Sequence, residues 1–361
     1  MGRQLNRREY LKRSGGVAVA AACGVALPGA ARADASPIVP SRKRLLRVAH
    51  LTDIHVMPEY DAGKGLAACL QHVQAQADPP EFILNSGDCI MDATRKSAYR
   101  TRNQWAVWQR VWKSECSLPS AHVLGNHDVW GWDKPKSGTN GSEPNWGKGW
   151  AMDELQLKRP YHSFDRGGWH FIGLDTVHPL DGASPDVFTG RLDEAQFAWL
   201  QADLAALDPK TPVLIMSHIP VLAMVPIFNQ PYDLGPREHL VVDRSDMLTD
   251  YHRLKELFKK HRNVKTCISG HIHLVDRVDY LGVTYMCGGA VCGAWWRGGR
   301  FNECDPGYSL LDLFDDGSVE RQYVPYGWAS TSPATQPSGT PLPAAVPATA
   351  PTTKSAGVAA S

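Results

Sequence analysis

Short apolar runs alternate with amphipathic stretches along this chain. LLRVAHLT (45–52), EFILNS (81–86), AHVL (121–124), PVLIMS (212–217) and VKTCIS (264–269) are too short for helices and read as buried strands. Between them, residues 62–76 repeat apolar positions at helical spacing, and residues 97–113 place Trp105, Trp108 and Trp112 on one helical face, read as a packing stripe. Leu192 to Leu207 reads as a helix with Asp193 and Gln196 spaced as a capping box, and residues 246–261 as an amphipathic helix. Residues 161–165 and 169–176 flank Arg166-Gly167-Gly168, a hairpin signal. After His273 the chain is strand-rich (275–281, 282–289, 308–314, 318–324), while 129–150 and 221–245 read as long loops. Alternating elements first and strands later predict an α/β fold in which two packed sheets are covered by helices, four layers in all.

The ends of the chain differ from its middle. Asn6-Arg7-Arg8-Glu9-Tyr10-Leu11-Lys12 precedes a weakly apolar run and then Ala31-Arg32-Ala33, a small-residue cleavage pattern. This order resembles a bacterial twin-arginine export signal over residues 1–33 and implies a periplasmic or secreted protein handed to the twin-arginine machinery. Such substrates are exported folded, so metal would be loaded before export. The signal also carries the charge asymmetry: it holds six Lys/Arg and one acidic residue, leaving 32 basic against 36 acidic residues. That balance argues against a general nucleic-acid binder. No stretch beyond the signal is apolar enough for a stable membrane span. From 329 to 361 the composition falls to Ala, Pro, Thr and Ser, as in a disordered tail. Seven cysteines follow the signal without a C-x-x-C pair, so a thiolate zinc site is not expected. They read mainly as small core residues, with one disulfide among Cys287, Cys292 and Cys304 left open.

The chemistry sits where the strand-like runs stop. Directly after them come Asp53-Ile-His55, Gly87-Asp88, Gly125-Asn126-His127-Asp128, Ser217-His218 and Gly270-His271-Ile-His273. A strand delivers its following residues to the sheet edge, and at the carboxyl edge of open α/β sheets ligands bind. Five such ends carrying Asp, Asn and His point to one shared polar site able to hold two metals. Carboxylate, imidazole and amide oxygen together suit Fe, Mn or Zn rather than Ca or Mg alone. Each motif alone is weak, and a single histidine is more often structural; all five in order are a strong signal.

In this set the chain resembles the calcineurin-like metallophosphoesterase superfamily over roughly residues 45–325. Tyr161-His-Ser-Phe164, Gly168-Trp-His-Phe-Ile-Gly-Leu-Asp175, Gln196 and Trp199-Leu200 also match its bacterial members. The resemblance implies an α/β/β/α sandwich flanked by helices and two divalent or trivalent metal ions. It places Asp53, His55, Asp88 and His273 on the first metal, and Asp88, Asn126, His218 and His271 on the second, with Asp88 bridging. It makes His127 the general acid, with Asp128 orienting its ring, and an activated hydroxide between the ions the nucleophile. Purple acid phosphatases of this superfamily carry a Tyr where Met91 stands and lack His55, so their colour is not expected here. Asp92 and Asp175 are candidates for orienting the ligand histidines from outside.

The expected substrate is a small phosphate mono- or diester. Trp130, Trp132, Trp146 and Trp150 follow the third motif, and Trp295 and Trp296 the last. Two readings stay open: a wall for a nucleobase, aryl or lipid group, or loops packing on themselves. Similar bacterial sequences include cyclic-nucleotide phosphodiesterases with the same motifs, against which export argues. A non-catalytic metal-bearing scaffold is disfavoured by the intact motif set, and a protein phosphatase by the compartment.

Overall fold

The computed structural model describes residues 42–180, 187–228 and 241–329. The export signal over 1–33 and the tail, apart from Ala329, lie outside the described residues. So do 229–240 of the segment read as a second long loop.

Two sheets face one another. The first has the order β13-β12-β1-β2-β3, built from Val319–Pro325 (β13), Gly307–Phe314 (β12), Arg44–Leu51 (β1), Phe82–Asn85 (β2) and Ser120–His122 (β3). The second has the order β10-β11-β9-β8-β5-β4, from Asp276–Tyr280 (β10), Val283–Cys287 (β11), Val264–Ser269 (β9), Val213–Met216 (β8), Trp169–Gly173 (β5) and His162–Arg166 (β4). β1, β2 and β3 run parallel, as do β5, β8, β9 and β11. A separate antiparallel pair joins Val177–Pro179 (β6) to Phe188–Gly190 (β7).

The strands alternate between two apolar environments, and that alternation makes the layers. Leu46, Val48, Phe82, Leu84 and Leu311 from one sheet meet Phe171, Leu214, Met216, Ile268 and Met286 from the other. The intervening residues face outward. Ala49, Leu51 and Ile83 pack under helices α1 (Ala62–Gln74) and α2 (Ala98–Glu115). Ile172, Ile215 and Cys267 pack under α5 (Glu194–Ala206) and α6 (Tyr251–Lys260). This is the expected four-layer sandwich. The tryptophan stripe of α2 packs as expected: Trp105 and Trp108 are buried, and Trp112 stacks on Trp108 at 4.5 Å. All seven described cysteines are free, six of them buried. Among the described residues no helix is long and apolar enough to cross a membrane.

Three local readings are corrected. The 129–150 loop contains short helices α3 (Lys134–Ser137) and α4 (Gly149–Glu154). The helix read over 246–261 begins only at Tyr251, because Leu248 N donates to Pro220 O (3.0 Å) and the Asp250 carboxylate accepts from Leu192 N (3.1 Å), holding the preceding turn away from helical geometry. Asp193 does cap α5, accepting from Gln196 N at 2.7 Å. The Gln196 carboxamide does not reach back to close a box; it bonds both Asp175 N and Asp175 O at 2.8 Å, tying α5 to the end of β5.

One ionic cluster makes stability depend on pH. His170 on β5 bonds Asp165 (2.7 Å) and Asp203 of α5 (2.9 Å), and Ser163 donates to the other Asp203 oxygen. Partial burial works against the His170 cation, but the two carboxylates win and raise its pKa above 6.5. Burial likewise opposes the Asp203 anion, and the hydrogen bonds from His170 and Ser163 lower its pKa below 3.8. A raised histidine stabilises below its unfolded pKa and loses this as pH rises through the folded value; a lowered aspartate loses its contribution as pH falls through its own. The pair therefore contributes fully between about pH 4 and 6.5. Denaturant unfolding of His170→Asn should show a larger stability loss at pH 6 than at pH 9; an equal loss at both would show that the pair is not ionic.

Candidate metal centre

Each motif begins at the end of a strand. β1 ends at Leu51, β2 at Asn85, β8 at Met216 and β9 at Ser269, within three residues of Asp53, Asp88, His218 and His271. Beyond β3, Asn126–Asp128 form one 3₁₀ turn. The chain then turns sharply at the ligands. Asp53, His55, Asp88, His271 and His273 all have positive φ, between 47° and 73°. Such a conformation costs an L-residue roughly 1–2 kcal/mol and clusters at functional sites. Backbone bonds hold it: Asp53 N to Gly87 O (3.1 Å), His55 N to Asp88 O (2.9 Å) and Gly270 N to His218 O (3.1 Å).

Two glycines leave room for the carboxylates. A Cβ on Gly125 would lie 2.0 Å from Asp88 Oδ1, and one on Gly270 would lie 1.8 Å from Thr52 Oγ1 and 2.4 Å from Asp53 Oδ2. The ligand-bearing motifs are thus pressed against one another with no space for a methyl group.

All seven expected ligands converge. His55 Nε2 lies 3.5 Å from Asp88 Oδ2, 3.8 Å from Asp53 Oδ1 and 3.1 Å from His273 Nε2, which is itself 3.3 Å from Asp53 Oδ1. His218 Nε2 is 3.2 Å from Asp88 Oδ2, 3.0 Å from Asn126 Oδ1 and 3.2 Å from His271 Nδ1. Asp88 stands between the two halves. Asp53, His55, Asp88, Asn126, His218 and His273 are buried, with His55, Asp53 and His218 fully so. The second half, Asp88, His218 and His271, forms a group of mutually close donors able to hold an ion; a second such group joins His55, Asp88 and His127, and a third His55, His273 and Cys292.

The electrostatics fit cations. Burial favours neutral Asp53, yet His273, His55 and His218 hold its pKa well below the usual carboxylate range; Asp88 is lowered against the same opposition by His218 and His127. Burial pushes His55 down to about 4 and His271 to about 3. His218 goes the other way, to about 9: burial lowers it, but the Asp88 charge overcomes this. The ring nitrogens of His55 and His273 lie 3.1 Å apart and those of His218 and His271 3.2 Å apart, each pair beside a buried carboxylate. Carboxylates facing them complete a donor set that a metal pair satisfies.

The outer partners differ from the expected ones. His218 Nδ1 bonds Ser86 O at 2.8 Å, a backbone carbonyl that fixes its tautomer. His271 turns Nδ1 inward and leaves Nε2 3.8 Å from Asp246 Oδ1, a carboxylate that sequence reasoning missed inside a segment read as helix. Asp92 and Asp175 do not serve. Asp92 caps the Arg95 amide, and Asp175 binds Lys148 Nζ at 2.5 Å and the Gln196 carboxamide.

His127 borders the donors, its amide bonding Asp88 Oδ1 at 2.8 Å, with its ring edge-on to His55 at 4.8 Å. The expectation that Asp128 orients this ring is corrected. His127 Nδ1 lies 2.5 Å from Met91 O, while the Asp128 carboxylate points back and accepts four amides, from Asp88, Cys89, Ile90 and Gly125. The 3₁₀ turn sends neighbouring side chains to different places. Burial and the nearby Asp88 charge push Asp128 up to about 7, against amide donors that favour its anion. It holds the Asp88 turn in place.

The tryptophans divide. Trp130 donates to Lys96 O and packs on Trp150 at 5.1 Å; Trp146 donates to Gly131 O; Trp132 lies under Lys148 Nζ. These four serve their own loop. Trp295 sits at the site, 4.4 Å from His55 and 4.6 Å from His273 between ring centroids.

Residues 46–275 match the model of the calcineurin-like phosphoesterases. The chain belongs to this family, whose members are hydrolases of phosphoric esters. It is 24% identical over 302 residues to a probable cyclic nucleotide phosphodiesterase of Synechococcus sp. (strain WH7803), covering 77% of this chain and 96% of that one. Its fold is similar to that of a dimetal phosphatase from Danio rerio, with a TM-score of 0.54 and 16% identity, covering 79% of this chain and all of the other.

Two substitutions test the arrangement. Asp88→Asn removes the charge shared by both halves, and metal analysis should find both ions depleted with the far-UV spectrum intact. Gly270→Ala forces Asp53 and Thr52 aside and should cost metal affinity by about tenfold or more, on the scale seen when ligand-supporting groups are lost. Full metal content in either variant would contradict this reading of the site.

Proposed function

We propose that the protein is an exported phosphoesterase that hydrolyses small phosphate mono- or diesters at a two-metal centre. The observation that carries it is the placement of Asp88 between two sets of donors, buried Asp53, His55 and His273 on one side and buried Asn126 and His218 with half-buried His271 on the other. Family membership supports the ester class. The donor set suits Fe, Mn or Zn.

A bound pair of such ions supplies an acidified water and a clamp on phosphoryl oxygens. The chain's own residues do the rest. Asp88 would be shared by both ions, and its backbone is pinned by the Asp128 carboxylate. His127 is half-buried at the margin of the donors; its Nδ1 is engaged by Met91 O, which leaves Nε2 to hold a proton for the leaving oxygen. Its ring orientation is therefore set by a carbonyl and not by a carboxylate. The positive-φ turns fix the donors before any ester arrives, so little reorganisation is needed on binding.

The twin-arginine pattern of residues 1–33 supports export, and hence extracytoplasmic esters. The Synechococcus relative supports a second reading, cyclic-nucleotide diester hydrolysis. The same metal-loaded protein separates the two, given aryl monoester, aryl diester, cyclic nucleotides, nucleotides and phospholipid headgroups. Hydrolysis of at least one class, lost on chelation, is the expected result; metal bound with no class turned over would favour a non-catalytic scaffold. In His127→Ala, metal content should stay at the wild-type level while kcat falls by about 10²–10⁴-fold. Unchanged kcat would remove His127 from the mechanism.

A further inference from the structure

Trp295 occupies a position that the phosphoester reading does not use. Its ring lies 4.4 Å from His55, 4.6 Å from His273 and 5.9 Å from His127, tilted 41–50° to each. It therefore spans from the first half of the donor set to the side where the proton would be delivered. It is half-buried, whereas its neighbour Trp296 is buried.

The segment carrying it is built to hold that ring still. Val291 N donates to Thr52 O (3.0 Å) and Cys292 N to Asp53 O (3.2 Å), so the segment is stitched to the first motif. Trp296 Nε1 then donates to Ile54 O (2.8 Å) and His55 O (3.0 Å). Its ring lies against Gly65 of α1, where a Cβ would come within 2.1 Å. Both tryptophans have positive φ, 58° and 63°, which is an outlier for residues of this size. Trp296 alone would anchor the loop. The Trp295 ring packs on the site histidines and reaches solvent rather than the core. Backbone strain of this kind clusters at functional sites.

We propose that Trp295 is the face on which an aromatic leaving group of the ester stacks, beside the proton donor His127. This rests on the phosphoester reading and narrows it to esters whose alcohol carries a planar ring, either a simple aryl alcohol or a nucleoside. Stacking of a base on an aromatic side chain corresponds to about a 5- to 150-fold gain in affinity. A ring carried on a segment tied down by the Val291 and Cys292 amides and by the Trp296 indole keeps that gain, because it loses little freedom on binding.

Non-hydrolysable phosphonates test this without relying on turnover. In the metal-loaded full chain, Kd is measured for benzylphosphonate against ethylphosphonate, and for the methylene phosphonate of AMP against that of ribose 5-phosphate. Wild type should prefer the aromatic member of at least one pair by about tenfold. In Trp295→Leu that ratio should fall to near one, and Trp295→Phe should keep most of it, with both ions retained in each variant. Preference in the first pair alone identifies aryl esters, and in the second alone nucleoside esters. No aromatic preference in wild type, or a preference that survives in Trp295→Leu, overturns the proposal. Because the phosphoester reading is judged by hydrolysis of the ester panel, that reading can stand while this one falls.

Discussion

The constraint on which the structure turns is that negative and neutral metal-type donors are packed together out of water. Asp53 and Asp88 are buried within a ring of imidazoles, and Asp128 lies just behind them. Burying even one unpaired carboxylate costs several kcal/mol. The Asp128 charge is met by four amides. Asp53 accepts the His271 amide and Asp88 the His127 amide, and both face imidazoles, of which burial drives His55 and His271 towards their neutral forms while the Asp88 charge raises His218. A bound pair of cations would meet this charge, and the donor atoms are grouped so that they could hold one.

The sandwich supplies the means. Parallel strands in each sheet end on one edge, so residues as far apart as Asp53 and His273 are brought within 3.3 Å. The facing sheets bring His218 against Ser86. What a strand cannot do is turn its last residues back toward a common point. The left-handed turns at five candidate ligand positions do this, and the close approach at Gly125 and Gly270 makes room for it. The backbone energy spent there is recovered in the hydrogen bonds between motifs and in the large apolar layers on either side.

Much of this was legible from the chain. The five motifs could be placed because each follows a run that can only be a buried strand, and the alternation of inward and outward residues fixes the layers. Side-chain direction inside a motif was not legible. Asp128 follows His127 in sequence, but a 3₁₀ turn aims it at the amides of residues 88–90, and a carbonyl at Met91 takes the ring instead. Gln196 has the spacing of a cap partner, yet the Asp175 backbone competes for its carboxamide. Asp246 gave no signal, because its approach to His271 depends on a turn that long-range bonds impose at 248 and 250. The tryptophan clusters were alike in composition; only packing separated a self-supporting loop from a ring placed beside the ligands.

Anomalous scattering from crystals grown with the bound metal tests the central claim most directly. Two peaks should appear about 3.5–4 Å apart, one on each side of the Asp88 carboxylate, with His55 and His273 near one and His218 and His271 near the other. A single peak, or peaks away from Asp88, would contradict the account.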